Sequence, residues 1–303
     1  MKTVRVYYAG IPKKNTKPEK RNVLKYFHQG VPYNQSKEIE KMQWEPSDLA
    51  VMQGWVHENS ESVPHLNFRK TIIHEQRRIG KHTLAIDSNL FLYRDPNNTK
   101  NYLRFSLDDV FPTTGNYFTD NIDPRRWHKI KTDIGFDIQP WRTSGEHILI
   151  CLQRNGGWSM SGLDVMKWCN QTIKKIKQHT DRPITVRAHP GDKRAKQYLK
   201  LKYPNVKISK NLNILEDFKN CWATVTYNSS PGVASAIEGI PVFVTDKNPK
   251  RSQAFDVANV DLINIENPKT VERQQWVEKI AMSHYNFEDL RNGTAWNTIK
   301  DYL

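Results

Sequence analysis

Between His147 and Thr245 the chain alternates short apolar, β-branched runs with stretches of helical composition, and this alternation limits the fold more than any other feature. Strands are expected at His147 to Gln153, Ile184 to Ala188, Val206 to Ser209, Ala223 to Tyr227 and Pro241 to Thr245. Helices are expected between them: Leu163 to Gln178, where Leu163, Met166, Ile173 and Ile176 recur near the helical period, then Ala195 to Leu201, Leu215 to Asn220 and Gly232 to Glu238. Parallel neighbours need a crossover of a dozen or more residues, so this spacing implies a parallel sheet covered by helices on both faces.

The first half repeats the theme more weakly. Val4 to Ala9 reads as a strand ending at Gly10-Ile11-Pro12, and Asp48 to Gln53 and Thr83 to Asp87 are further short apolar runs. Asn67 to Ile79 between them has helical composition and stops at Gly80. Asp109 to Pro112 reads as another strand and Asp123 to Lys131 as a short helix, before the Pro- and Gly-punctuated segment Pro140 to Gly145. A chain of 303 residues exceeds one typical domain. The expected division is an α/β, Rossmann-like domain over 1–143, a second over 144–286, and a C-terminal helix over 287–303 packing back on the first.

The net charge of +14, from 46 Lys plus Arg against 32 Asp plus Glu, favours a polyanionic partner such as nucleic acid, nucleotide or acidic glycan. Lys2, Arg5, Lys13, Lys14, Lys17, Lys20, Arg21 and Lys25 crowd the start of the chain with Glu19 alone opposing them, so this stretch is either a phosphate-contacting segment or a solvated basic loop. Cys151, Cys169 and Cys221 lack metal-type spacing and sit among apolar residues, as free thiols in a reducing, cytoplasmic setting would. No apolar run approaches the roughly 20 residues needed to cross a bilayer, and no membrane partner is expected.

In open parallel sheets ligands gather beyond the carboxyl ends of the strands. In the second half those positions are polar: Gln153, Arg154, Asn155 and Gly156 after the first strand, Arg187 and His189 after the second, and Tyr227, Asn228, Ser229 and Ser230 ahead of a helix. A loop entering a helix offers free N–H groups and the positive end of a dipole to a phosphate, with Ser229 and Ser230 either adding donors or acting as N-caps. Arg187 would fork a diphosphate, His189 would donate to it or be a hydrogen-bonded core residue, and Glu238 would reach a ribose diol. There is no G-x-G-x-x-G fingerprint and no G-x-x-x-x-G-K-[ST] loop, which argues against a dehydrogenase or P-loop ATPase. Asp108-Asp109 is not a D-x-D motif, so no metal is expected. In the first half, a base able to take a hydroxyl proton from an acceptor is sought among Asp87, His57 and Glu58, with Asp87 preferred.

Arg187-Ala188-His189-Pro190, Tyr227-Asn228-Ser229-Ser230 and Glu238-Gly239-Ile240-Pro241-Val242 together resemble the nucleotide-sugar half of GT-B glycosyltransferases, in particular capsule-polysaccharide transferases, over about residues 147–246. That resemblance implies two Rossmann-like domains with parallel sheets facing a central cleft, and places His189, the Ser229-Ser230 pair and Glu238 in a donor site. The runs Gln53-Gly54-Trp55-Val56-His57-Glu58, Ser88-Asn89-Leu90-Phe91, Phe111-Pro112-Thr113-Thr114-Gly115 and Cys151-Leu152-Gln153-Arg154-Asn155-Gly156-Gly157-Trp158 are also similar to tailed-phage transferases of the 5-hydroxymethylcytosine arabinosyltransferase kind. This implies no tightly bound cofactor, a nucleotide-sugar co-substrate (UDP-arabinose or UDP-glucose), and double-stranded DNA carrying hydroxymethylated bases as acceptor in the host cytoplasm. Lys13, Lys14, Lys17, Trp55, Asn89 and Arg94 would then contact DNA. An acidic-polysaccharide transferase and a non-catalytic nucleic-acid-binding module are the competing readings.

Overall fold

The computed structural model describes the chain from Met1 to Leu303 apart from residues 12–18, 58–59, 156–157 and 161. The chain divides into two compact units, Met1–Ile134 with Glu278–Leu303, and Gly135–Val277. The first unit begins β1 (Val4–Tyr7), α1 (Glu19–Gly30), β2 (Ser36–Ile39), β3 (Leu49–Gln53), α2 (Pro64–Arg78), β4 (His82–Ser88), β5 (Leu103–Leu107) and α3 (Pro124–Ile134). β1, β2, β3 and β4 run parallel, and Val4, Val6, Leu49, Ala50, Val51, Leu84, Ala85 and Ile86 are fully buried, as strands covered on both faces require.

Two expectations for this half are corrected. Its sheet is not wholly parallel, because β5 lies antiparallel to β4 with Asp87 opposite Arg104. Residues 89–102 between these strands hold turns and no crossover helix, so the chain re-enters the sheet from the end at which it left. Nor is Asp109 to Pro112 a strand. Asp108 takes a φ of 66°, and the Asp109 carboxylate accepts from Val110 N at 2.6 Å and closes a local turn instead of extending β5.

The second unit contains β6 (His147–Cys151), α4 (Val165–Ile176), β7 (Ile184–Arg187), α5 (Ala195–Tyr198), β8 (Val206–Ile208), α6 (Ile214–Phe218), β9 (Cys221–Thr226), α7 (Pro231–Ile237) and β10 (Val242–Val244). Its sheet is parallel throughout, in the order β10-β9-β6-β7-β8. α4 starts where Asp164 caps Lys167 N at 2.7 Å, and it buries Val165, Trp168, Cys169, Ile173 and Ile176 against β6 and β7. Each such side chain contributes about 1.5–3 kcal/mol by leaving water. The segment before β6 belongs to this unit: Gln139 N donates to Ile237 O at 2.8 Å and Arg142 N to Gly239 O at 2.7 Å. Gly239, at φ 73°, passes so close to the Pro140 carbonyl that a Cβ there would collide with it.

α8 (Gln274–Ala281) leads back to the first unit, where β11 (His284–Tyr285) pairs antiparallel with β5 and completes the order β11-β5-β4-β3-β1-β2. α9 (Phe287–Arg291) and α10 (Thr294–Ile299) follow. Leu290, Ala295, Trp296 and Ile299 share one apolar core with Val4, Val6, Leu24 and Phe27. Asn286 and Asp289 form a capping box at the start of α9, and Asp289 also pairs with Arg126 of α3 at 3.0 Å. Cys151, Cys169 and Cys221 are free and buried, and burial pushes the thiols of Cys169 and Cys221 up to about 12. Among the described residues no helix is long and apolar enough to cross a membrane.

Candidate functional site

In the second unit the carboxyl ends of β6, β9 and β10 are tied together by buried polar side chains. Gln153, two residues past β6, donates through Nε2 to Ser159 Oγ at 2.8 Å and accepts from Asn228 N at 3.3 Å. Asn228, two residues past β9, donates to Ser159 O at 3.1 Å and to Asp246 Oδ2 at 2.6 Å. Asp246, two residues past β10, is also 3.8 Å from Arg251 Nη1. Tyr227 is buried among them, with its ring 6.0 Å from that of Trp168, and burial followed by the Asp246 charge raises its phenol pKa. Three neighbouring parallel strands thus deliver one oriented set of donors and acceptors.

A second group stands beside it at the ends of β6 and β7. Asp192 accepts from Asn155 N at 2.9 Å and from the Tyr198 hydroxyl at 2.6 Å, linking the two loops. Gly191 N donates to His189 Nδ1 at 3.0 Å, which puts the imidazole proton on Nε2. Burial, then the positive Arg154, lower the His189 pKa, with Asp192 partly opposing, so the ring is a neutral Nε2–H donor near pH 7. Arg154 is exposed, and its guanidinium lies so close to Gly191 that a Cβ there would come within 2.6 Å of Nη2.

Two residues placed on this rim from the sequence serve elsewhere. Arg187 is spent on its own unit: Nη1 pairs with the buried Asp217 at 2.6 Å and donates to Asn211 O at 2.9 Å, and Nη2 donates to Leu212 O at 2.7 Å. A guanidinium satisfied in this way ties β7 to α6 and is not a diphosphate fork. Glu238 is the C-cap of α7. The following residues enter β10 at its amino end, where Val242 pairs with Thr224, so the carboxylate lies at the opposite edge of the sheet from Asn228. Ser229 and Ser230 do precede α7, a helix of seven residues; Ser230 makes no side-chain cap bond, and Ser229 Oγ is buried without a hydrogen-bond partner. Gly156 lies outside the described residues.

In the first unit Asp87 is the next-to-last residue of β4 and accepts from Arg104 Nη2 at 2.7 Å and from its neighbour Ser88 N at 2.8 Å. His57 is half-buried in the loop after β3, where its N–H donates to Ser60 Oγ at 3.0 Å. Asn89 is corrected from a DNA contact to an internal brace: buried, it donates to Asn98 Oδ1 and Tyr102 O, both at 2.9 Å, and accepts from Phe91 N at 2.7 Å. Trp55 is half-buried and Arg94 lies 5.8 Å over the Tyr93 ring. Glu58, Lys13, Lys14 and Lys17 lie outside the described residues. An open cavity of about 420 Å³ beside α1 is lined by Tyr8, Arg21, Lys25 and Glu38, among others.

Asp246, Asp192 and Ser159 were missed in the sequence. Asp246 and Asp192 each closely follow an expected strand and were open to the same positional rule that found Gln153 and Asn228; Ser159 sits in a short helical turn with no such signal.

No family model matches the chain, and no curated protein matches its sequence. Solved structures do match. KpsC of Thermosulfurimonas dismutans, as a beta Kdo 2,4 transferase, aligns with a TM-score of 0.56 at 14% identity, covering 93% of this chain and 89% of that one. The beta Kdo 2,7 transferase of the same organism aligns at 0.53 and 11% identity over 100% of both chains. At such identities the likeness is one of fold: an α/β chain with two sheets of mostly parallel strands, of the GT-B type.

Proposed function

We propose that this protein is a glycosyltransferase that holds a nucleotide-activated sugar at the carboxyl edge of its second sheet. The observation that carries the reading is the buried network Gln153–Ser159–Asn228–Asp246, which aims polar groups from three adjacent strand ends at the place where open parallel sheets take nucleotides. His189 Nε2–H, Arg154 and the Ser229-Ser230 turn supply donors for the diphosphate. In the reaction the acceptor hydroxyl attacks the anomeric carbon, the bond from that carbon to the diphosphate breaks, and the nucleoside diphosphate leaves with the electron pair. The hydroxyl proton passes to a base, for which Asp87 and His57 are the described candidates, with Glu58 beside them in sequence.

The finer reading is transfer of arabinose from UDP-arabinose to the hydroxymethyl group of 5-hydroxymethylcytosine in double-stranded DNA, with UDP-glucose the other donor to be tried. The net charge of +14 and the phage-type motifs support it. A second reading is transfer to an acidic glycan, which the same net charge of +14 would also suit. Nucleoside mass analysis of hydroxymethylated duplex DNA incubated with enzyme and each nucleotide sugar tests the first. A parallel incubation with an acidic oligosaccharide tests the second. Added pentose on the base is the expected result, and mass added to the glycan alone would reject the DNA acceptor.

A further inference from the structure

The second unit carries a run of exposed cations on the flank of its sheet. Lys193 to Lys210 holds seven basic residues and no acidic one, half of the net charge of +14. All seven are exposed, and none forms an ion pair with a described residue, whereas Arg182, Lys219 and Arg251 of the same unit each do. Gly156, Gly157 and Ser161, the residues of this unit outside the description, carry no carboxylate. The run starts at the carboxyl edge of the sheet, where Asp192 accepts from Asn155 N and from the Tyr198 hydroxyl and so pins α5 to the loop after β6. It then leaves along the flank. Leu199, Leu201 and Tyr203 pack on the core while Lys200 and Lys202 between them face solvent. The run ends on β8, the edge strand in the order β10-β9-β6-β7-β8, with Lys207 in the strand and Lys210 two residues past its carboxyl end. Because β8 is parallel to β7, Lys210 returns to the edge that carries His189.

Like charges gathered in this way repel one another, and only Lys207 has a local reason: a lysine on an edge strand keeps that edge from pairing with another strand. The other six stand on no strand. We propose that this flank of the second unit docks the phosphate backbone of double-stranded nucleic acid. A duplex carries one charge per roughly 1.7 Å of its axis, and a surface of unpaired cations binds it by releasing condensed counterions. Six of the seven cations are lysines, point charges that suit rows of phosphates in any register, whereas the planar carboxylates of a glycan are better held by the fork of arginine. The two tyrosines of the run, Tyr198 and Tyr203, are half-buried against the core, so no exposed aromatic ring stands among the cations to stack the bases of a single strand. The inference rests on the reading of double-stranded DNA as acceptor and deepens it, since the flank would hold the duplex beside the edge at which the donor is placed.

The test is a titration of the full-length protein with a fluorescently labelled, unmodified duplex, without nucleotide sugar, from about 50 to 200 mM salt. One variant combines Lys196→Gln, Lys200→Gln and Lys202→Gln. A second combines Lys41→Gln, Lys100→Gln and Lys269→Gln, which removes the same charge from exposed lysines elsewhere. The flank variant is expected to bind at least about tenfold more weakly at the low-salt end, with a slope of log K against log salt shallower by about 2 to 3, since each lost phosphate contact releases about 0.9 counterion fewer. The scattered variant is expected to keep the wild-type slope within about 1. A wild type that does not bind the duplex, a flank variant that keeps its slope, or a scattered variant that loses as much overturns the surface. So does polygalacturonate, titrated in a parallel arm, if it binds as tightly as the duplex through the same lysines. If the flank variant does not fold, Lys193→Gln with Lys210→Gln replaces it, with an expected slope change of about 2. Neither donor nor turnover enters the measurement: a protein that transfers sugar to DNA yet keeps its salt slope loses this surface alone, and one that loses the slope but transfers nothing keeps the surface and loses the transferase reading.

Discussion

Asn228 and Asp246 stand at the ends of neighbouring strands β9 and β10, joined by a 2.6 Å hydrogen bond from the Asn228 amide to the buried Asp246 carboxylate. The same amide reaches Ser159 O, so one side chain fixes the relation of three strand ends. Asn228→Asp replaces the donor with a second carboxylate. Two carboxylates at that distance cannot both ionise without a large penalty, and the pair holds a proton well above the usual carboxylate range. UDP binding by calorimetry is expected to weaken at least tenfold at pH 7.5 and to recover in part at pH 5, where the shared proton returns. Unchanged affinity at both pH values would remove Asn228 from the donor site.

Arg187 and His189 lie two residues apart, and their alanine variants are expected to fail differently. Arg187→Ala strands Asp217, whose side chain is 2% exposed, and breaking a buried pair from one side costs about 3–5 kcal/mol. Its signature is a large fall in urea midpoint. His189→Ala removes a partly exposed donor and should leave the unfolding free energy within about 1 kcal/mol of wild type while weakening UDP roughly tenfold. A His189 variant that binds UDP normally, or an Arg187 variant that is stable but cannot bind, would reverse the two assignments.

The parallel sheet of the second unit was legible because its strands are continuous apolar runs separated by helical segments, and such runs are dictated by burial on both faces. The rule that ligands gather after strand ends then pointed to Gln153, Asn228 and His189, which lie beyond the carboxyl ends of β6, β9 and β7. It misplaced Arg187, whose side chain turns back to Asp217 of α6, since sequence order does not show which way a strand-end arginine points. It misplaced Glu238 because the length of α7 carries that residue to the other edge. The antiparallel β5 and the two-residue β11 went unseen: β5 pairs through a turn-rich connection, and β11 derives its register from a partner about 180 residues earlier.

Asp87 is opposite Arg104 in the antiparallel register, and the pair separates two roles. Asp87→Asn keeps shape but leaves Arg104, whose side chain is 12% exposed, without its counter-charge. A loss of roughly 1 kcal/mol in stability is expected whatever the chemistry, since the Asp87 side is solvated. If Asp87 also takes the acceptor proton, kcat falls by about 10² to 10⁴ with the KM for donor unchanged. The double variant Asp87→Asn with Arg104→Met restores stability without restoring the base. Turnover that returns with stability identifies a sheet-pairing residue, and His57→Gln then becomes the variant expected to lose kcat.

His284 makes folding sensitive to acid. It is fully buried in β11, with Nδ1 donating to Ile280 O at 2.8 Å and Nε2 accepting from Leu90 N at 3.2 Å, an arrangement that only the neutral ring can keep. Burial, opposed by the Ile280 bond and reinforced by the charges of Arg104 and Arg126, lowers its pKa from 6.5 to about 3. The unfolded chain therefore binds this proton at a higher pH than the folded one, and the native state is progressively disfavoured as pH falls from 6.5 toward 3, with no contribution above 6.5. The accumulated loss is on the order of 5 kcal/mol at the acid end. His284→Gln keeps an acceptor for Leu90 N and a donor for Ile280 O but cannot be protonated. Urea denaturation from pH 7.5 to 4 should therefore show wild type losing stability on acidification faster than His284→Gln, by close to one proton in slope below pH 6. Parallel pH profiles for the two proteins would mean that His284 is reached by solvent or repacks on protonation, and that acid sensitivity arises from other groups.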